Sequence, residues 1–207
     1  MYEAPAFGVD DADAILVDLA THHAATLVTS GPDGLASTIL PVLLRTGDDG
    51  RRSIVGHVAR GNAAALAGDG HPALVLLTGA AGYVTPSWYA SKAEHGKVVP
   101  TWDYVAVEAV GTLRLHPDAE WLRALVTQLT DRHEGARAEP WAVSDAPSSF
   151  VDAMLKGIVG VELVIDRMAA KAKLSQNRSE ADVAGVVAGL RADGAHDLAD
   201  AVDHPPT

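Results

Sequence analysis

The sequence predicts an α+β, mainly β protein: a small barrel with helices on its periphery. Gly and Pro punctuate the first part of the chain at spacings that leave short β-rich runs between turns. Two of those runs flank a strong turn sequence, and the apolar stripes of helical period fall at the beginning and in the second half. A parallel α/β sheet would instead alternate strand and helix throughout.

Taken in order, Asp10 and Asp11 cap a first helix over about 12–22, with Ile15, Leu16 and Leu19 at core spacing. Runs 24–30 and 35–44 form a hairpin across Gly31-Pro32-Asp33-Gly34. A turn at 46–50 leads into a strand ending near Val58, followed by a short helix over 60–67 and a buried strand over 72–78. The run 105–115 alternates as a half-buried strand, the fifth before residue 116. Pro117 and Asp118 open a helix whose Trp121, Leu122, Leu125, Val126 and Leu129 make one stripe, read as core. A shorter helix over 148–156 precedes a sixth strand over 160–168. Ser179 starts a last helix carrying Val183, Val186, Val187 and Leu190 and stopped at Gly194. One domain over 1–194 and a flexible tail over 195–207 are expected.

At 207 residues and 48% hydrophobic content the chain can bury a substantial core. Its formal charge of -11 argues against direct nucleic-acid binding, which draws affinity from clustered Lys and Arg. With no Cys there is no disulfide or thiolate nucleophile, so a metal needs His, carboxylate or a cofactor's own ligands. The start MYEAPAFGVDDADA lacks a basic, then apolar, leader, and no run of eighteen apolar residues follows. The expectation is a cytoplasmic protein with no signal peptide or membrane contact. Phosphate-loop, Gly-x-Ser-x-Gly and Ser-x-x-Lys motifs are absent from the sequence.

Three segments carry candidate chemistry. TPSWYASKAEHGKVVPTWDY, residues 85–104, gathers Trp88, Tyr89, Lys92, His95, Lys97, Trp102 and Tyr104 between prolines, a mixture suited to a flat anionic ligand. In Gly56-His57-Val58-Ala59-Arg60-Gly61-Asn62, His57 is a candidate metal or haem ligand and Arg60 a candidate partner for phosphate or carboxylate. The plainer reading is a backbone-satisfied His and an exposed Arg. In 171–178, Lys173, Gln176 and Asn177 stand among cations and amides that suit an anion, or equally a solvated loop and a helix cap.

On GHVARGN, PSWYASKAEHGKVVPTW, LTDRHE, EPWAVSDAP, KLSQNR and AGVVAGL, the chain resembles the PaiB-like, FMN-binding negative transcriptional regulators. The likeness runs to about residue 191 and implies a split β-barrel homodimer related in fold to pyridoxamine-phosphate oxidases. Several positions depart from that family's pattern. Ser37-Thr38-Ile39 stands for Ala-Thr-His, Ala63-Ala64-Ala65 stands where an aromatic is expected, Ala80-Ala81-Gly82 for a Pro-His pair, Asp103 for Asn and Ala172 for an aromatic. Most of these changes trim volume or a polar contact.

Within the family, the trimmed pattern resembles the haem-dependent piperazate synthases, which close N5-hydroxy-L-ornithine into L-piperazic acid. That resemblance implies haem b with His57 as axial ligand, and Arg60 with Lys92 or Lys97 on the propionates or the substrate carboxylate. It also implies Asn62, Tyr83 and Trp88 near the cofactor, Tyr83 and Tyr89 as proton donors or pocket walls, and Lys173, Gln176 and Asn177 reaching in from a partner subunit. The catalytic candidates are thus Lys92, Lys97 and Tyr89, and the small-molecule partner is an N-hydroxylated amino acid. The alternatives are an FMN-binding regulator or flavin protein on the same scaffold, and a scaffold with no cofactor.

Overall fold

The structure, a computed structural model, describes residues 1, 5–9, 11–31, 34–63, 66 and 68–206. Tyr2, the cap residue Asp10, the turn residues Pro32 and Asp33, and Ala64, Ala65 and Ala67 of the expected short helix lie outside the described residues.

The helices are α1 (Ala12–His22), α2 (Arg60–Ala63), α3 (Ser91–His95), α4 (Ala119–Glu134), α5 (Ser148–Leu155), α6 (Glu180–Ala192) and α7 (His196–Asp203). The strands are β1 (Ala25–Gly31), β2 (Gly34–Leu40), β3 (Val42–Thr46), β4 (Arg52–Ala59), β5 (Pro72–Val84), β6 (Thr101–His116) and β7 (Ile158–Lys173). They form one antiparallel sheet in the order β2-β1-β5-β6-β7-β4-β3. The mainly β, split-barrel expectation is met.

The chain separates into two compact units, Ala20–Leu76 with Ala109–Met168, and Met1–Leu19 with Leu77–Glu108 and Ala169–Thr207. The first is the barrel unit. β1 and β2 pair in register from Ala25↔Leu40 to Gly31↔Gly34, so the expected hairpin forms with a two-residue connection. The expected single strand over 35–44 is broken at Pro41, which has no N–H for a ladder, into β2 and β3. Strand residues fill the interior: Leu27, Leu40, Val42, Ile54, Val75, Leu113 and Leu163 surround a void of only about 10 Å3. An apolar space that small stays dry and holds no cofactor.

The alternate residues of β3 and β4 face outward under α4. Leu43 and Val55 pack with Leu125 and Leu129, and Trp121 covers them. Leu122 packs in turn with Val151 and Leu155 of α5. The α4 stripe is core, as its spacing predicts, and each fully buried Leu contributes on the order of 2 kcal/mol. Asp118 caps α4, accepting from Trp121 N at 2.8 Å.

The second unit contains the 85–97 segment and the C-terminal helices. Asp11 Oδ1 accepts from Ala14 N at 2.9 Å, capping α1 as expected. In α6, Ser179 accepts from Asp182 N, and Val186, Val187 and Leu190 are buried. Residues 196–203, expected in a flexible tail, instead form α7, which buries Leu198, Ala199 and Val202. β5 and β7 outrun their expected ends at Thr78 and Met168, so Lys171 and Lys173 lie on a strand and not in a loop.

Candidate functional site

The candidate residues fall into two groups, one in each unit. In the barrel unit, β4 turns directly into α2, which puts His57, Arg60 and Asn62 at one strand end. Along β4, Ile54 and Gly56 line the interior, so Val55 and His57 point outward by the two-residue period. His57 pairs with Gly160 of β7, and Val55 with Glu162. Residues opposed across a ladder share a face at close range. A Cβ on Gly160 would overlap the Trp121 ring and touch His116 Cβ, so the indole lies over Gly160 and beside His57.

That indole is built into a stack. His116 lies parallel to it at 4.1 Å between ring centroids, and the Arg45 guanidinium sits 5.1 Å from its centroid. His116 Nε2 meets Glu162 Oε2 at 2.8 Å. Sequence reasoning missed this wall, because Trp121 reads as one more member of a core stripe. The signal was Gly160, a glycine inside a strand, which often marks a close approach.

His57 is half-buried, and its Nδ1 is fully buried with no hydrogen-bond partner among the described residues. Burial alone pushes its pKa below the usual 6.5. The ring is therefore neutral at pH 7, and Nε2 is the nitrogen that a ligand can reach. A neutral imidazole with a free nitrogen fits haem iron as an axial donor.

Arg60 is held by the chain itself. Its backbone N donates to Gly157 O at 2.8 Å, Nε donates to Lys156 O at 2.9 Å, and Nη2 donates to Ile158 O at 3.2 Å. These bonds fix the guanidinium and, among the described residues, leave its Nη1 edge unspent. Asn62 Nδ2 donates to Thr38 Oγ1 at 3.4 Å.

In the other unit, Pro86–Trp88 form a 3-10 turn capped by Thr85, and α3 ends at Gly96 in the left-handed conformation, φ 65°. Trp88 is seated on α6: a Cβ on Gly185 would overlap its carbonyl, and one on Gly189 would overlap its indole. Asp182 ties the next residues down, accepting from Ser91 N at 2.9 Å and from Ser91 Oγ at 2.8 Å. Donation from Ser91 N–H is the largest influence holding its carboxyl below the usual value of 3.8.

Tyr89 is 3% exposed, with the Arg178 guanidinium 4.6 Å from its ring centroid. Its Oη has no hydrogen bond of acceptable geometry among the described residues, although Ser175 and Arg178 are close. Desolvation raises its pKa, Arg178 counters this, and Asp103 adds to it. The phenol keeps its proton well past neutral pH.

Asp103, fully buried, accepts from Ser175 Oγ at 2.6 Å and from Lys173 Nζ at 3.3 Å. Ser175 is the one described non-glycine residue at positive φ, 61°. Such strain persists only where surrounding contacts fix it. Lys173 Nζ also donates to Thr101 Oγ1 and Trp102 O, both at 2.5 Å, which uses its three donors within the chain. Gln176 folds back on its own backbone, with Leu174 N donating to Oε1 at 2.7 Å and Nε2 donating to Ala172 O at 2.5 Å.

Thus Tyr89, Lys173 and Asp103 come together in this unit. Lys92 is exposed and donates to Ser87 Oγ at 3.2 Å. Lys97 and Asn177 are exposed, and Tyr83 is 49% exposed on β5.

Residues 1–167 match the family model of a putative FMN-binding domain. The chain belongs to this FMN-binding family. The protease synthase and sporulation protein PAI 2 of Bacillus subtilis is 30% identical over 92% of the chain and 89% of that protein. A protein of Emericella nidulans is 39% identical over 118 residues, 52% of the chain and 47% of its own length. The chain thus spans about half the length of that protein and of a second relative, from Aspergillus fumigatus.

Two solved structures share the fold at low identity. The FAD and heme binding protein of Mycobacterium smegmatis has a TM-score of 0.56 at 22% identity, covering 83% of this chain and 77% of that one. The flavocytochrome Anf3 of Azotobacter vinelandii has a TM-score of 0.52 at 14% identity, covering 83% and 72%. No described helix is long and apolar enough to cross a membrane.

Proposed function

We propose that this member of the FMN-binding family takes haem b on His57 and closes N5-hydroxy-L-ornithine into L-piperazic acid. The observation that carries the reading is His57 itself, kept neutral by burial and with an Nδ1 that has no hydrogen-bond partner among the described residues. The shared fold accommodates both groups in other proteins, one that binds FAD and haem and one that is a flavocytochrome.

When bound, haem supplies an iron that acts on the N–OH group. The balance of the reaction is a redox-neutral dehydration. The N–O bond breaks, the α-amine nitrogen forms the N–N bond, and the amine proton leaves with the hydroxyl as water. The chain's part is to fold the ornithine backbone so that its two nitrogens meet, which removes much of the entropic barrier. Arg60, through its Nη1 edge, and one of the exposed Lys92 and Lys97 receive carboxylates of cofactor or substrate. Asn62, Tyr83 and Trp88 are assigned to the cofactor's surroundings, and Tyr89, protonated at neutral pH, to proton donation. Asn177, whose amide is exposed, is assigned to the site of a partner subunit in a homodimer; Lys173 and Gln176, expected there too, are instead committed to their own chain.

The second reading, an FMN-binding regulator of the PaiB type, is favoured by the family model and by the relative from Bacillus subtilis. The test is an assay of haem-loaded protein with N5-hydroxy-L-ornithine, read by mass spectrometry for a product lighter by one water. Wild-type protein is expected to form it and His57→Ala to lose it; haem-loaded protein that forms none refutes the activity.

A further inference from the structure

A second cavity in the barrel unit lies where the start of α4 meets the end of α5, and it measures about 340 Å3. That is the lower end of the size range of metabolite sites. Its floor is apolar, from Pro117, Ala119, Leu122 and Leu155. Its charges are of both signs: two cations, Arg60 and Lys156, and one carboxylate, Asp152, which also pairs with Arg123.

Arg60 is the feature that makes this a built site. Two of its guanidinium nitrogens are bonded to the carbonyls of Lys156 and Ile158. A ligand therefore does not have to immobilise it, and little entropy is lost when its remaining edge binds a carboxylate. Arg60 and Lys156 outnumber Asp152, so the cavity is net positive in a chain of formal charge -11. Such a concavity concentrates anions in an otherwise repelling field.

From this geometry we infer that the α4–α5 cavity binds a small α-amino acid, its carboxylate on Arg60 and Lys156 and its ammonium toward Asp152, with the side chain on the floor of Leu122 and Leu155. The choice of an α-amino acid rests on the proposed activity; the cavity and its charges do not.

The test is calorimetric titration of the intact protein, with and without haem, using L-ornithine as probe and putrescine, which lacks the carboxylate, as control. L-Ornithine is expected to saturate and putrescine to bind at least about tenfold more weakly, the cost of losing one charge-assisted contact. Arg60→Gln should weaken L-ornithine similarly. Because that change also frees the 156–158 turn, Lys156→Met, on an exposed side chain, is the second variant, and it should weaken binding several-fold with unchanged thermal stability. A titration that never saturates, or one that putrescine and Lys156→Met leave unchanged, overturns the site whichever cofactor binds. Saturation by L-ornithine in protein that takes up no haem upholds the site and removes the proposed activity.

Discussion

His57 and Asp182 show how single side chains are tuned here, and in opposite chemical settings. His57 has its folded pKa below 6.5 because burial penalises the imidazolium. The unfolded chain then binds more protons just below that value, so the stability His57 confers is present above pH 6.5 and is lost as pH falls below it. Chemical denaturation of wild type and His57→Ala at about pH 7.5 and about pH 5.5, above and below 6.5, should show a smaller pH effect in the variant; equal pH effects would contradict the burial argument. Asp182 is also depressed, but by donors. Its contribution is present above about pH 3.8 and is lost as pH falls through its folded value. Asp182→Asn should cost about 1.5 kcal/mol at neutral pH, the worth of a hydrogen bond to a charged group, and should flatten the acid limb of the denaturation profile. Hydrogen exchange should then rise at Ser91 and Lys92, because the carboxylate is what fixes Ser91.

Between elements, the tightest fit is that of Trp88 on α6. Gly185 and Gly189, one helical turn apart, leave a trough that the turn at Pro86–Trp88 fills. Gly185→Ala should destabilise by about 3 kcal/mol despite the better helix propensity of alanine, because its methyl meets backbone and cannot be accommodated by a rotamer change. Ala184, its exposed neighbour on the same helix, is the control: substitution there to Ser should be nearly neutral in a thermal melt. The AGVVAGL motif was legible as a helix from Val186, Val187 and Leu190, yet its glycines gave no reason for themselves until Trp88 was placed on them. The hairpin was legible from its turn chemistry and α4 from its stripe. The extensions of β5 through Ala80-Ala81-Gly82 and of β7 through Lys173 were not, because those residues lack alternation and owe their strand geometry to the neighbouring ladder. α7 escaped notice because Leu198 and Val202 are only two large apolar positions in an acidic stretch. His57 stood out as a chemical residue, but its Trp121 wall comes from a distant helix that no local spacing connects to it.

At the scale of the whole molecule, the exposed apolar residues bear on assembly. Leu35 and Ile39, 81% and 74% exposed, lie on one face of β2 at the end of the strand order. Such an edge is usually protected by a charge or covered. We propose that the partner of the homodimer covers it. Leu35→Lys with Ile39→Lys should therefore shift the particle to monomer mass in light scattering, with its circular dichroism unchanged; a dimer of unchanged mass would place the interface elsewhere. The acidic charge makes a matching statement about nucleic acid: at physiological salt the protein should not retard DNA in a gel.

The central claim is the cofactor, and the most direct measurement is the UV–visible spectrum of the purified protein after separate reconstitution with haem and with FMN. Haem binding through His57 predicts an intense Soret band that shifts on reduction and is absent in His57→Ala. A two-band flavin spectrum from the FMN sample with no Soret band from the haem sample, or a Soret band that His57→Ala leaves unchanged, would contradict it.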